Sequence, residues 1–417
     1  MLRIFFSAGE PSGDIHASGL IKEIRQLAPD ADIVGFGGEC MQNAGCTLLS
    51  DMTKHSIMWF AQAVSHYLKY RKLLARAEAF FTANQVDAVV LVDYPGFNWH
   101  VAAAARKHNI PVFYFMPPQI WAWAQWRVKK MKRLINHTLV PLRFEERWLN
   151  QHNIKTDFIG HPFFYEMRSK KYDTEFLDLF FKENANCQIL TLLPGSRNSE
   201  VTRNTDDMLD AVDIVHQSSP NVRVFVAAFN QDQADWVANR IAERNKKQKT
   251  NKAIAVYANK TAELIQAADC CMAVSGSVTM ELLASNKPTV VYYRVSSAGH
   301  LIQRLFRRSK FITLVNILAT DQATPNNPDS FLYDKSKIII PAEPSQDDRE
   351  QMLFPEFLTN KNRSKDAASI LANWLMNPES LAKTKRELDD LLKKVDEVQN
   401  PLKRASEILM MNLVGRY

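Results

Sequence analysis

No stretch of this sequence stays apolar for the ~18 residues that a membrane-crossing helix needs, so a spanning helix is not expected. The opening Met1-Leu2-Arg3-Ile4-Phe5-Phe6-Ser7 is apolar for too few residues to be a secretory signal. It runs straight into Gly9-Glu10-Pro11-Ser12-Gly13-Asp14 and reads as a first strand and its loop. The five cysteines, Cys40, Cys46, Cys187, Cys270 and Cys271, are odd in number and form no CxxC pair. That spacing predicts a reduced, cytosolic protein without a disulfide framework or zinc site. No short internal repeat or low-complexity tract is present. What remains is an ordinary globular composition, 46% hydrophobic and 23% charged, in 417 residues. That length exceeds one ordinary core and predicts two domains of ~200 residues each.

The formal net charge of +7 points to an anionic partner: nucleic acid, a phosphorylated substrate or an anionic membrane surface. A protein that is merely basic is the plain alternative. The cations are unevenly placed, with Arg127, Lys129, Lys130, Lys132 and Arg133 in one cluster and Arg304, Arg307, Arg308 and Lys310 in another.

Strands and helices alternate along the first half. Arg3 to Ala8, Asp32 to Phe36, Ala88 to Asp93, Val112 to Phe115, His137 to Val140 and Asp157 to Gly160 read as strands. Ile15 to Leu27, Val64 to Ala83, Trp99 to His108 and Val128 to Leu134 have helical spacing. The second half repeats the plan, with strands at Gln188 to Leu193, Val222 to Ala228, Ala253 to Tyr257, Cys270 to Val274 and Thr289 to Tyr293. Strands that are apolar throughout and separated by helices indicate sheets buried on both faces. The fold class is therefore α/β, two doubly wound Rossmann-like domains facing a cleft, the GT-B type of nucleotide-sugar glycosyltransferases and some epimerases. The expected division is 1–165, an acceptor-side domain; 166–375, a nucleotide-sugar domain with a Pro-rich insertion at about 320–350; and 376–417, helices packing back on the first domain.

Two turns stand out. Leu193-Pro194-Gly195-Ser196-Arg197 and Ser275-Gly276-Ser277-Val278-Thr279-Met280-Glu281 each follow a buried run and open a helix. A helix N-terminus presents unpaired N–H groups and partial positive charge, which suits a phosphate. Arg197 adds a planar fork for phosphate oxygens, and Glu281 can accept two hydrogen bonds from a ribose diol. Singly, Gly-Ser turns are usually only turns; two in one domain suggest a nucleoside diphosphate site.

Asp93 ends an apolar strand and so sits at the lip of a cleft, where a general base can take the proton of an attacking hydroxyl. A capping or loop-bonding aspartate is the bland reading. Glu10 is a second acid at the lip, or a solvated loop acid. Trp121, Trp123 and Trp126 interleave with cations and suit stacking on nucleic acid or seating at a membrane interface, although some of these indoles belong in a core. Met58-Trp59-Phe60 with Val64, Tyr67, Leu68 and Leu73 reads as a lipid-touching face or as core. His161 at the domain junction can bond a ligand or simply pack.

In their order, Ala8 to Asp14, Gly35-Phe36-Gly37-Gly38 with Met41 and Gly45, Val92 to Asn98, Trp121-Ala122-Trp123, Phe158 to Pro162, Leu193 to Arg197 with Glu200-Val201, Ser275 to Glu281, Tyr293-Arg294 and Val315 to Ala319 resemble the lipid-A-disaccharide synthase family. The resemblance runs from Ser7 to about Leu358. It implies an inverting hexosyltransferase that moves 2,3-diacylglucosamine from its UDP derivative onto 2,3-diacylglucosamine 1-phosphate. It also implies no cofactor, no obligate metal, no nucleic-acid partner, and a place on the cytoplasmic face of the inner membrane. Asp93 matches the family's essential acid, with Glu10 beside it. Gly195, Ser196, Arg197, Ser275, Gly276, Ser277, Thr279, Glu281 and Asn316 fall on the UDP-sugar side, and Ser12, Asn98, Trp121, Trp123, His161 and Arg304 on the acceptor or lipid side. Trp59, Gln62 and Pro117 depart from the usual family residues, which bears on acyl-chain selectivity. A UDP-sugar 2-epimerase uses the same turns but needs no Trp-rich basic segment; an inactive membrane-associated homologue would require a broken catalytic set.

Overall fold

The computed structural model describes residues 1–53, 63–249, 254–324, 327, 329–334, 339–341 and 344–414. The chain divides into two compact units, Met1–Tyr165 with Asp396–Tyr417, and Glu166–Val395.

The first unit runs β1 (Arg3–Ala8), α1 (Pro11–Leu27), β2 (Asp32–Gly37), α2 (Glu39–Asn43), β3 (Thr47–Asp51), α3 (Ala63–Ala83), β4 (Ala88–Val92), α4 (Pro95–Lys107), β5 (Val112–Phe115), α5 (Ile120–Trp123), α6 (Val128–Leu134), β6 (His137–Val140), α7 (Arg143–Gln151) and β7 (Thr156–Phe158). The strands form one sheet in the order β3-β2-β1-β4-β5-β6-β7. Every pair is parallel. Its central strands β1, β4 and β5 are buried on both faces apart from Arg3, which is why their sequences are apolar rather than alternating. The order reverses between β1 and β4, so loops leaving their carboxyl ends diverge and leave a crevice. Helix α4 begins at Pro95, earlier than its apolar spacing suggests, because proline at the first helical position loses no hydrogen bond.

The second unit follows a helix shared across the boundary, α8 (Pro162–Arg168). It runs α9 (Thr174–Glu183), β8 (Ile189–Leu193), α10 (Asn198–Ser218), β9 (Arg223–Ala228), α11 (Gln231–Gln248), β10 (Ile254–Ala258), α12 (Thr261–Ala267), β11 (Cys270–Ala273), α13 (Val278–Ala284), β12 (Thr289–Arg294), α14 (Ser297–Phe306), α15 (Leu314–Ala323), α16 (Gln346–Glu350), β13 (Glu356–Thr359), α17 (Ser364–Met376) and α18 (Pro378–Val395). Its sheet is parallel in the order β10-β9-β8-β11-β12-β13, with its own reversal between β8 and β11. A last helix, α19 (Pro401–Val414), returns to the first unit.

One expectation needs correction, and two segments take more part in the core than the division alone conveys. The helices of 376–417 do not act together. Leu388, Leu391 and Val395 are the buried face of α18, which packs on α13, α15 and α17, whereas Leu402, Ala405, Leu409 and Leu413 of α19 join Ala17, Leu20, Ile21 and Ile24 of α1 in one core. The stretch just past the division at 165 belongs to the second core: Phe180 of α9 is buried against Phe225 of β9, ring centroids 4.6 Å apart. The segment 320–350 is not wholly a surface loop, because Phe331, Leu332 and Ile340 are buried and Leu332 bridges Ser309. Met58, Trp59, Phe60 and Gln62 lie outside the described residues, as do the side chains of Val64, Tyr67 and Leu68; Leu73 is core.

Because α19 covers α1 through fully buried leucines, Leu409→Ala should cost ~2–5 kcal/mol of stability in the first unit. Urea unfolding followed by tryptophan fluorescence measures it; a loss under ~1 kcal/mol would mean that α19 is not part of that core.

Candidate active site

At the first unit's reversal, β1 hands over to α1 through Gly9 and Glu10, and β4 hands over to α4 through Asp93 and Tyr94. Asp93 and Tyr94 both have left-handed backbone, with φ of 41° and 47°. Side chains with a Cβ avoid that region, so the corner is strained and must be held from outside. Asn98 holds it. Its side-chain nitrogen lies 2.7 Å from the Asp93 carbonyl, 3.1 Å from that of Val92 and 3.2 Å from that of Ser7, sharing its two hydrogens among them. The Ser7 hydroxyl donates back to Asn98 Oδ1 at 2.7 Å, and the Tyr114 hydroxyl donates to the Asp93 carbonyl at 2.9 Å. Asn98 is fully buried, so it serves as a brace for Asp93 rather than a contact for an acceptor. Gly9 lets the Tyr94 ring close over the first loop, since a Cβ there would lie 2.1 Å from the ring.

The Asp93 carboxyl is held above the usual carboxylate range by burial, opposed in part by the Tyr94 N–H and by His16. Glu10 is also raised, first by burial and then by the charge of Asp93. A partly desolvated carboxylate is a stronger base than one in water, and here it sits at the carboxyl end of a central strand. The Asp14 carboxylate accepts from the N–H groups of Gly38 (2.7 Å), Cys40 (2.9 Å) and Met41 (3.1 Å), capping α2 and tying the 8–14 loop to the 37–41 turn.

The remaining residues of the acceptor side fall in different settings. Ser12 is exposed on the first turn of α1. His161 Nδ1 accepts from the Phe163 N–H at 3.2 Å, which caps α8. Trp121 is buried and donates its indole N–H to Glu145 at 2.9 Å, so it is core rather than lipid-facing. Trp123 and Trp126 are 42% and 68% exposed and remain free to meet a surface. In the second cationic cluster, Arg304 Nε donates to the Ile340 carbonyl, Arg307 is buried, and Lys310 pairs with Asp348 at 2.9 Å. That cluster is largely spent on holding its own domain.

In the second unit, Gly195 takes a φ of 131°, the conformation that lets β8 turn sharply into α10. The N–H groups of Ser196 and Arg197 point at the Glu200 carboxylate, both at 3.3 Å, and the Arg197 guanidinium meets the other oxygen of Glu200, also at 3.3 Å. An anionic group of the protein thus occupies the donors that the sequence reserved for a phosphate. Arg197 keeps most of its side chain in solvent, at 73% exposure. At β11, Ser275 donates to the Ile312 carbonyl at 2.8 Å and Thr279 to the Gly276 carbonyl at 2.8 Å, while Gly276 and Ser277 are exposed with open space above Gly276. Glu281 pairs with Lys170, a residue more than a hundred positions away that no local pattern could associate with it. Asn316 is fully buried and saturated: it donates to the Phe354 carbonyl (2.7 Å) and Glu356 (3.0 Å) and accepts from the N–H groups of Leu353 and Phe354 (both 3.0 Å). It fixes the entry to β13 and has nothing left for a ligand.

The profile of the family described as lipid-A-disaccharide synthetase matches residues 4–338. The chain belongs to that family. Curated lipid-A-disaccharide synthases from Trichlorobacter lovleyi and Nitrosococcus oceani are 30% and 31% identical to it, over 76% of this chain and 81% and 80% of theirs. Among solved structures it resembles Anabaena HepE in complex with UDP and glucose (TM-score 0.52, 13% identity, 98% of this chain and 100% of that one). It also resembles a putative UDP-N-acetylglucosamine 2-epimerase from Listeria monocytogenes (TM-score 0.58, 10% identity, 100% and 97%). At such identities these structures speak for the GT-B fold alone. As a lipid-A-disaccharide synthase, the enzyme is a glycosyltransferase that takes a UDP-sugar donor and a sugar acceptor.

Glu145 behind Trp121 offers a test of how the first unit is packed. Burial raises its carboxyl to about 7, the Trp121 N–H opposing the shift, and its Oε2 has no hydrogen-bond partner among the described residues. The folded state therefore holds a proton that the unfolded chain releases near pH 4.5, and stability falls as pH rises through that interval up to about 7. Glu145→Gln keeps the acceptor for Trp121 and should stabilise the protein at pH 8 by on the order of 1–3 kcal/mol, with the gain vanishing below about pH 5. Thermal melts across pH read this directly; a pH-independent difference would mean that Glu145 is ionised in the fold.

Proposed function

We propose that the enzyme transfers 2,3-diacylglucosamine from UDP-2,3-diacylglucosamine to 2,3-diacylglucosamine 1-phosphate, forming a β-1,6-linked disaccharide 1-phosphate and UDP. The observation that carries the catalytic part is the Asp93 corner: a carboxyl above its usual range, on a strained turn braced by Asn98 and Tyr114. The acceptor's 6-hydroxyl attacks the donor's anomeric carbon from the face opposite UDP. Its proton passes to the Asp93 carboxylate as the bond between that carbon and the diphosphate oxygen breaks, and UDP leaves with the electron pair. Glu10 keeps the lip of the site acidic. The exposed Arg197 and the turn at Gly195 and Ser196, together with Ser275, Gly276 and Ser277, hold the diphosphate, and Glu281, oriented by Lys170, takes the ribose hydroxyls.

Lipid substrates require the enzyme to work at a bilayer, and we place it on the cytoplasmic face of the inner membrane. Among the described residues no helix is long and apolar enough to cross a membrane. Support for side-on contact comes from Trp123 and Trp126 next to Arg127, Lys129 and Lys130, and from α14, which buries no residue and leaves Leu301, Ile302 and Phe306 at 51–55% exposure. Apolar side chains beside cations suit an anionic interface.

Asp93→Asn should lower turnover ~10²–10⁴-fold while UDP affinity is retained, read by product mass spectrometry and calorimetry. A variant within threefold of wild type would remove Asp93 from the role of base. The acid limb of the wild-type pH–rate profile should lie above the range where an ordinary aspartate titrates, since burial raises the group that must be ionised. Replacing Leu301, Ile302 and Phe306 with Ser should reduce sedimentation with anionic vesicles and leave UDP affinity unchanged. Sedimentation equal to wild type would show that α14 does not touch the bilayer.

A further inference from the structure

The second unit contains a groove of about 340 Å³ that belongs to neither strand-order reversal. It lies along β13, the edge strand, two positions beyond β11 in the sheet, with α16 and the start of α17 on its flanks. One side of the β13 backbone pairs with β12; the other faces the groove. Three arginines line it, Arg307, Arg349 and Arg363, among the apolar surfaces of Met352, Phe357 and Ile370.

Arg307 is the unusual member. It is only 5% exposed, yet it has no ion pair among the described residues. Its Nη1 donates to the Lys310 carbonyl at 3.2 Å, and its Nε is buried without an acceptor. The nearby carboxylate, Glu356, forms no ion pair with it among the described residues and turns both oxygens toward the entry to α15. Oε1 accepts from the Ile312 N–H at 2.7 Å, and Oε2 from the Thr313 N–H (3.1 Å), the Thr313 hydroxyl (2.8 Å) and the Asn316 amide (3.0 Å). The other acid in the groove, Asp366, is paired with Arg363 at 2.5 Å. Burial pulls the Arg307 guanidinium below its ordinary range, and the Tyr333 hydroxyl and Glu356 only partly offset it. A guanidinium taken out of water without an anion is costly, and folds rarely keep one unless something completes it.

We propose that this groove binds an oxyanion carrying an apolar tail, with Arg307 at the head and Met352, Phe357 and Ile370 along the tail. The shared chemistry is a phosphate or carboxylate joined to a short alkyl chain. The volume is that of a small-ligand site, and its mixture of apolar walls with a few directed cations is the usual composition of one. The proposal stands apart from the transfer reaction, since none of the groove residues lies on the β8 or β11 turns.

Isothermal titration calorimetry of the full chain with octyl phosphate and with octanoate, both below micelle-forming concentration, tests it and distinguishes the two headgroups. At least one should bind saturably, and inorganic phosphate and octanol should each bind at least about tenfold more weakly, because neither supplies both parts. Arg307→Met should weaken binding about tenfold or more, the loss expected for a charge-assisted hydrogen bond, and leave UDP affinity unchanged. Should that variant fail to fold, Met352→Asp, at a partly exposed position, places a negative charge against the ligand and should abolish binding in a folded protein. No saturable binding of either amphiphile to wild type overturns the proposal, as does undiminished binding by folded Arg307→Met or Met352→Asp.

Discussion

The hydrogen bonds of the Asn98 amide hold together the part of the first unit on which the proposed chemistry depends. Two adjacent residues with side chains, Asp93 and Tyr94, are kept in left-handed backbone, at a cost of roughly 1–3 kcal/mol each. A free loop would relax. It cannot relax here because one buried amide reaches the carbonyls of Ser7, Val92 and Asp93 together, joining the ends of β1 and β4. Tyr114 from β5 adds a third strand to the same point. The carboxylate is therefore aimed by three buried strands, β1, β4 and β5, the rigid support that the proposed base would need if its position is to be fixed before the acceptor arrives.

The second unit solves a different problem. In the proposed reaction its donors receive a diphosphate and release UDP afterwards. Glu200 accepts from the N–H groups of Ser196 and Arg197, with Tyr293 donating to the same carboxylate at 3.3 Å. The orphan donors of the helix are thereby satisfied without ligand, by contacts that are long and easily exchanged. A phosphate that takes those donors must push the Glu200 carboxylate aside. Behind the turn, Asp207 anchors β12 to α10 through the Tyr292 hydroxyl (2.6 Å) and Arg294 (2.5 Å), so the exchange leaves the helix in place.

Much of this was legible in the amino acids. Apolar strands such as Ala88–Val92 announced sheets covered on both faces, and an acid directly after one of them marked Asp93. The helix-opening turns at Gly195 and Gly276 followed from the same logic. What sequence could not convey was partnership across distance. Trp121 looked like a surface indole because its neighbours are cations; only the fold brings it to Glu145. Asn316 is the one polar residue of the Val315 to Ala319 run, and the four hydrogen bonds of its side chain are all internal. Lys170 lies just past the division at 165, far along the chain from Glu281, and it orients that carboxylate. Arg307 was counted with surface charges because burial of a cation leaves no trace in local periodicity. The division between α18 and α19 was equally hidden, since both are charged amphipathic helices and differ only in what their leucines meet.

That division has a consequence for how the protein is made. The face of α1 that α19 will cover is made with the rest of the first unit, but its cover is translated only after the whole second unit. At ~5–20 residues per second the gap lasts roughly ten seconds or longer, during which an apolar helix face on an assembled sheet is open to water. The nascent chain therefore passes through a stage at which a holding chaperone has a defined surface to grip. The last fourteen helical residues act as the latch that ends that stage.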